Sequence, residues 1–336
     1  MRRAAPAAAL FIGGACAFFL VCGFSWQLPR GFPEPVVPPD NPMSAAKVAL
    51  GRRLFFEPRI SVSGRYSCAS CHEPLRAFTD GRPLAIGATG ESLTRNAMTL
   101  VNVAYNSSYG WSSPDVLSLE AQMRQPLFNT HPVEIGLAGR EKALLEVLAQ
   151  DPQYAGEFSS VFADDPPALS VGHLIRAIAA FERTLISGNS PFDRYIYHGD
   201  HRALGDSAKR GMRLFYSARL GCASCHGGFN FTGTWNERNR PAAVPAMARN
   251  GTGSGRVRVR VPTLRNILLT APYMHDGRYL TLESVIRQYE AAGTRTTLPD
   301  RRLRRFHLND AERQDLLTFF ATLTDAQSIA GYNGAQ

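Results

Sequence analysis

Apolar residues recur at helical spacing over residues 118–128, 139–150 and 170–187. In the last of these, Val171, Leu174, Ile175, Ile178 and Leu185 fall on one stripe. Two short stretches, Gly51-Arg52-Arg53-Leu54-Phe55-Phe56 and Gly211-Met212-Arg213-Leu214-Phe215-Tyr216, each read as the end of a short amphipathic helix. A further helix is expected over residues 281–292. Asn309 with Glu312 three positions on has the form of a capping box, opening a final helix to about Leu323. Strict alternation is scarce; its longest run, 256–261, predicts one short extended segment. The pattern is that of a mostly α fold with long loops and few short strands. Six prolines in residues 27–42 predict an extended segment lying on the surface or wrapping a domain. Residues 232–255 lack periodicity and contain Gly-Thr-Gly-Ser-Gly, which reads as a long loop.

The N-terminus has a different pattern. Arg2 and Arg3 precede an uncharged run over residues 4–24, the form of an export signal that is cleaved or kept as a membrane anchor. Lipidation at Cys22 would lack the small residue such a site prefers in front of it. Elsewhere no run is long enough to cross a bilayer, so a polytopic membrane protein is excluded. At 336 residues, 44% hydrophobic and 19% charged, the chain is long enough for one or two cored domains and is not collagen-like, coiled-coil or largely disordered. The net charge of +9 is almost all arginine, with only three lysines. No basic helix or basic and aromatic stripe accompanies it, which argues against nucleic acid. Arginine in excess suits a chain that holds acidic groups inside.

Removal of the signal would take Cys16 and Cys22 with it and leave four cysteines in two identical pentapeptides. Cys68-Ala69-Ser70-Cys71-His72 and Cys222-Ala223-Ser224-Cys225-His226 both read C-x-x-C-H, the attachment signature of c-type haem. Two thiols so spaced reach the two vinyl groups of one porphyrin, and the adjacent His becomes the proximal iron ligand. A redox pair does not need His at the next position twice. A zinc site needs two more ligands near each pair, and none sits at the usual spacing. The two units lie 154 residues apart and share the helix end that precedes each, which implies two cytochrome-c-like domains related by internal duplication. The expected organisation is a signal or anchor over 1–25, a Pro-rich segment over 26–43, haem domains over 44–188 and 189–326, and a tail over 327–336.

The sixth ligand separates electron transfer from catalysis, because an iron with an open face can react with peroxide. After His72 no His occurs until His131, and the nearby Met98 and Met123 read as core fillers, so the first haem has no evident distal ligand. Candidates for the second haem lie in Thr270-Ala271-Pro272-Tyr273-Met274-His275-Asp276-Gly277 and in the helix after it.

These motifs, with Asn102-Val103-Ala104-Tyr105-Asn106, resemble the bacterial dihaem cytochrome c peroxidase/MauG family over essentially residues 41–323. Gly31-Phe32-Pro33, residues 40–48 and residues 176–190 look most like its MbnH branch, enzymes associated with methanobactin systems that oxidise a Trp of a partner to kynurenine. The resemblance implies Tyr289, fourteen residues beyond His275, as axial ligand of the second haem, where the peroxidases carry Met and MauG carries Tyr. The competing reading is a helix Tyr packed with Val285 and Ile286, with Met274 or nothing on the iron. No His stands where the peroxidases block the first haem until reduction.

By the same resemblance, Trp111 lies between the haems as a relay. Gln122 and Glu134 form the distal polar pair above the first haem, with Pro126 as the apolar residue beside them. Asn96 and the carbonyls of Thr270 and Pro272 match a calcium site, and His275 is a hydrogen-bonding group between the haems. A carboxylate at Glu134 would take the first proton of peroxide and return it to the leaving oxygen. The implied protein is a periplasmic enzyme that uses H2O2 to form a high-valent dihaem state and oxidises a residue, a Trp, of an MbnP-like partner at long range. Two alternatives stand beside it: a peroxidase reducing H2O2 with electrons from a small cytochrome c or copper protein, and a dihaem electron carrier that is no enzyme. Trp235 reads either as an exit for oxidising equivalents or as a surface aromatic.

Overall fold

The computed structural model describes residues 24–113, 115–233, 244–246, 257–293 and 303–333. The signal segment, Trp235 and most of the expected 232–255 loop therefore lie outside the described residues. Within them, ten α-helices and one two-stranded sheet make the mostly helical fold that the pattern predicts.

Each haem unit is built on one crossing of two helices. In the first, α1 (Ala45–Phe55) packs on α5 (Val171–Arg183). In the second, α7 (Asp206–Tyr216) packs on α9 (Asp310–Ala321). The repeated glycines mark the two crossings. A Cβ on Gly51 would stand 1.8 Å from the Ala177 carbonyl oxygen, and one on Gly211 1.9 Å from that of Asp315. Only a residue without a side chain lets the backbones approach so closely.

Beyond the first helix of each pair, the C-x-x-C-H turn opens as a short 3-10 segment, Cys68–Ser70 and Cys222–Ser224. Asn102 and Asn266 then take left-handed φ of 57° and 58° and open equivalent 3-10 turns. Their backbone N–H groups donate to Leu185 O at 2.7 Å and Leu323 O at 2.9 Å, just past the ends of α5 and α9. The internal duplication is thus one repeated unit of helix crossing, haem turn and asparagine clasp.

That clasp also explains why the helix expected over 170–187 stops at Arg183. Ser187 N–H donates to Asn102 Oδ1 at 2.8 Å and its carbonyl accepts from Asn102 Nδ2 at 2.9 Å, so the last residues leave the helix to pair with it. The other patterned stretches form α2 (Leu119–Phe128), α3 (Glu141–Ala149) and α8 (Leu282–Gly293). The Asn309/Glu312 capping box opens α9, with bonds of 2.9 and 3.1 Å. Three helices escaped the periodicity: α4 (Pro152–Val161), capped by Asp151, α6 (Pro191–Tyr197), capped by Ser190, and a C-terminal one described below. The expected loop contains β1 (Val244–Ala246), paired antiparallel with β2 (Val257–Val259) inside the expected extended segment. No helix among the described residues is long and apolar enough to cross a membrane.

The tail expected over 327–336 is corrected by α10 (Ala326–Asn333), which returns to the first half. Ile329 is buried in the first core, Tyr332 packs on Phe78 at 5.2 Å, and its hydroxyl donates to Ile186 O at 2.8 Å. These apolar contacts, next to the first haem turn, hold the helix down.

The Pro-rich segment joins the halves. Phe32, 8% exposed, sits between Tyr105 of the first half and Phe229 and Tyr197 of the second. Its ring lies 4.6 Å from the Arg265 guanidinium, which makes a bidentate bond to Asp193, both bonds 2.9 Å. The pair is essentially fully buried, and Arg265 Nε also donates to Phe229 O. Asp193→Ala is expected to cost about 3–5 kcal/mol, because it leaves a buried guanidinium uncompensated. Urea unfolding of the holoprotein checks this, and a loss below about 1 kcal/mol, the range of an exposed pair, would contradict it.

Candidate active site

Both histidines of the repeated motif are held ready as ligands. His72 Nδ1 lies 2.9 Å from Phe78 O, and His226 Nδ1 lies 3.2 Å from Phe231 O. A carbonyl only accepts, so a proton held on Nδ1 by this bond would leave the Nε2 lone pair for iron. Burial lowers the pKa of both imidazoles, against the opposing pull of those carbonyls, and keeps them neutral as ligation requires. None of the four motif cysteines is in a disulfide, so all four sulfurs remain for attachment. Burial pushes Cys68 up, and Cys71 and Cys222 up to about 12.

A cavity of about 360 Å³ opens beside His226, Cys222 and Cys225, walled by Leu220, Val261, Ile267, Ile286 and Phe320. Arg260 also lines it, with its Nε buried and without a partner among the described residues. An apolar slot with thiols, a neutral His and an unpaired guanidinium fits a haem, which brings vinyl groups, iron and carboxylates.

Tyr289 of α8 lines this cavity and is 37% exposed. Burial of its hydroxyl, and then the Cys222 and Cys225 sulfurs beside it, push the phenol up to about 12. It would therefore ionise near neutral pH only against a cation such as ferric iron. Met274, the competing ligand, lines the same cavity at a left-handed φ of 76°.

Trp111 reaches this cavity from the first half. Its Nε1 donates to Asn96 O at 2.8 Å, and its ring meets that of His275 edge-on at 6.4 Å. His275 O in turn accepts from Asn96 N at 3.0 Å. Desolvation lowers the His275 pKa, aided by Arg95 and Arg278 and opposed by Asp276. Asn96, Thr270 and Pro272, the expected calcium residues, line the same cavity. Asn96 Nδ2 donates to Arg82 O at 2.7 Å, which leaves Oδ1 as the oxygen it can offer a cation. Met98, expected in the core, lines the cavity instead, with its sulfur 3.9 Å from an Arg260 nitrogen; Met123 is buried as expected.

At the first haem, Gln122 and Pro126 stand one turn apart on the same face of α2. Pro126 O accepts from Ile135 N at 2.9 Å, which pins the loop carrying Glu134 against the end of that helix. Glu134 Oε1 accepts from Asn129 Nδ2 at 3.1 Å. Burial raises its pKa above the ordinary carboxylate value, the Asn129 bond opposing. Its charge is felt at Cys71, so it belongs to the first haem's surroundings. Gln122 and Pro126 thus share one helix, and Glu134 lies on the loop pinned to its end.

Two residues here carried no motif. Glu182, 6% exposed, is enclosed beside Cys68 with Oε2 unpartnered among the described residues, and burial pushes its carboxyl up to about 8. Arg260 is the other. Both owe their places to tertiary packing: Arg260 is the last of three alternating arginines and Glu182 stands beside Arg183, so neither is singled out by the sequence.

A sequence model of the family described as di-haem cytochrome c peroxidase matches residues 45–202. The methylamine utilization protein MauG of Methylorubrum extorquens is 36% identical, over 89% of this chain and 83% of its own. The cytochrome c551 peroxidase of Nitrosomonas europaea is 34% identical, over 88% and 85%. Among solved structures, a MauG-like protein associated with microbial copper homeostasis superposes with a TM-score of 0.84 at 34% identity, over 91% of this chain and 97% of that one.

Proposed function

The chain belongs to the di-haem cytochrome c peroxidase family, and from that membership we propose that it uses H2O2 to oxidise a residue of a partner protein, a Trp to kynurenine, at long range. Its class is that of H2O2-dependent haem oxidoreductases with two c-type haems. When bound, the haems supply the iron that reacts with peroxide and stores its oxidising equivalents. The protein's own groups do the rest. Glu134 takes the first proton of peroxide and returns it to the leaving oxygen, with Gln122 holding the substrate beside it and Pro126 keeping that edge apolar. Trp111 passes electrons between the haems. Asn96 and the carbonyls of Thr270 and Pro272 would hold Ca²⁺, since neutral oxygens suit that cation. The N-terminal export pattern and the two covalent haem motifs support a periplasmic site for the reaction. The copper homeostasis association of the MauG-like neighbour supports a surface partner from the same setting.

The observation that carries this reading is Tyr289 lining the same cavity as His226, Cys222 and Cys225. A hard, ionisable ligand favours ferric and more oxidised iron, whereas a Met ligand favours a donor haem. Tyr289→Phe is expected to change the EPR signal of the second ferric haem and leave the first unchanged. An unaltered second signal would move the ligand to Met274, which lines the same cavity, and favour reduction of H2O2 by a small electron donor.

A further inference from the structure

Four arginines are buried among the described residues, and three of them are neutralised by a carboxylate: Arg183 by Glu120, Arg265 by Asp193 and Arg313 by Glu290. The fourth, Arg260, is 7% exposed and has no carboxylate partner among the described residues. One terminal nitrogen contacts the Met98 sulfur at 3.9 Å, a weak acceptor, and Nε has no partner among the described residues. Burial pulls its pKa down to about 10, opposed only by Tyr109, so the group is still a cation at neutral pH. A desolvated cation held this way needs an anion that the described residues do not supply.

Its position says which anion. Arg260 lines the cavity of His226, Cys222 and Cys225, and its backbone N–H donates to Trp111 O at 2.9 Å. We propose that Arg260 pairs with a propionate of the second haem at the edge facing Trp111, and so acts as a positioning residue that sets that haem's potential and its register against the relay Trp. The inference rests on the two c-type haems of the family and is independent of which substrate the enzyme oxidises.

A guanidinium offers a planar fork that matches a carboxylate in two bonds, and its charge favours the reduced haem over the ferric one. Because the same residue's backbone holds Trp111, the propionate, the guanidinium and the indole form one connected unit. Loss of the cation leaves a propionate without a partner, whose protonation then follows pH near neutrality.

The test is a spectroelectrochemical titration of the diferric holoprotein that resolves the two haems, for Arg260→Met, Arg260→Gln and Arg260→Lys. Haem content is checked first, at two per chain. The Met and Gln variants are expected to shift the second haem to lower potential and make that potential newly pH-dependent, with the first haem unmoved. The Lys variant, which keeps the charge, should return the potential toward the native value. If the Met chain does not mature with two haems, the Gln chain carries the test. An unchanged second potential in the neutral variants, or a shift confined to the first haem, overturns the assignment.

Discussion

Glu134→Gln is expected to slow the reaction of the diferric protein with H2O2 by about 10²–10⁴, the usual contribution of a positioned acid–base group. Glutamine keeps the size and the contact with Asn129 but can neither take the first proton of peroxide nor return it. The pH dependence has a definite sign. The base form is the carboxylate, and burial holds its pKa above the ordinary value. The native rate constant should therefore rise with pH through that elevated pKa and level off above it, and the Gln variant should lose this rise. Stopped-flow absorbance of the first haem measures both. A Gln variant as fast as the native protein, or one that keeps the same pH profile, would assign the proton transfer elsewhere.

Trp111→Phe is expected to separate the haems functionally. The first haem should still react with peroxide near the native rate, because Glu134, Gln122 and His72 are untouched. The second haem should stay ferric on that timescale, and oxidation of the partner should be lost. An indole gives up an electron far more readily than a phenyl ring, and the Nε1–H bond to Asn96 O fixes its orientation beside His275. Phenylalanine also leaves that carbonyl without its donor, at a cost of about 1–3 kcal/mol where no water replaces it. A thermal unfolding control separates this from the relay. Unchanged second-haem oxidation in a folded variant would remove Trp111 from the path.

Much of this architecture could be read from local signals. The two C-x-x-C-H motifs locate both haems, and the repeated Gly-x-Arg-Leu-Phe ends fall where Gly51 and Gly211 let helices cross against main-chain carbonyls. The Asn309/Glu312 pair opens α9 where the spacing places it. The rest depends on contacts distant in sequence. Residues 326–333 have weak periodicity, and their helix is held by the first core rather than by propensity. Phe32 reads as part of a proline-rich connector until Arg265 and Asp193 close beneath it. At the site, resemblance supplied Trp111, Glu134 and Asn96, while Arg260 and Glu182 matched no pattern, because an unpartnered buried charge is visible only once the chain is folded.

In the proposed function, one open haem reacts with peroxide and shares the oxidation with a second, Tyr-ligated haem. The most direct test adds stoichiometric H2O2 to the as-isolated diferric protein, without reductant, and follows both haems by optical absorption and EPR. The account predicts rapid loss of both ferric signals, with bleaching of the main absorption band and slow recovery. A protein that does not react until one haem has been reduced would contradict it and identify a reductively gated peroxidase. Low-spin signals on both haems that peroxide leaves unchanged would contradict it as well, and identify an electron carrier.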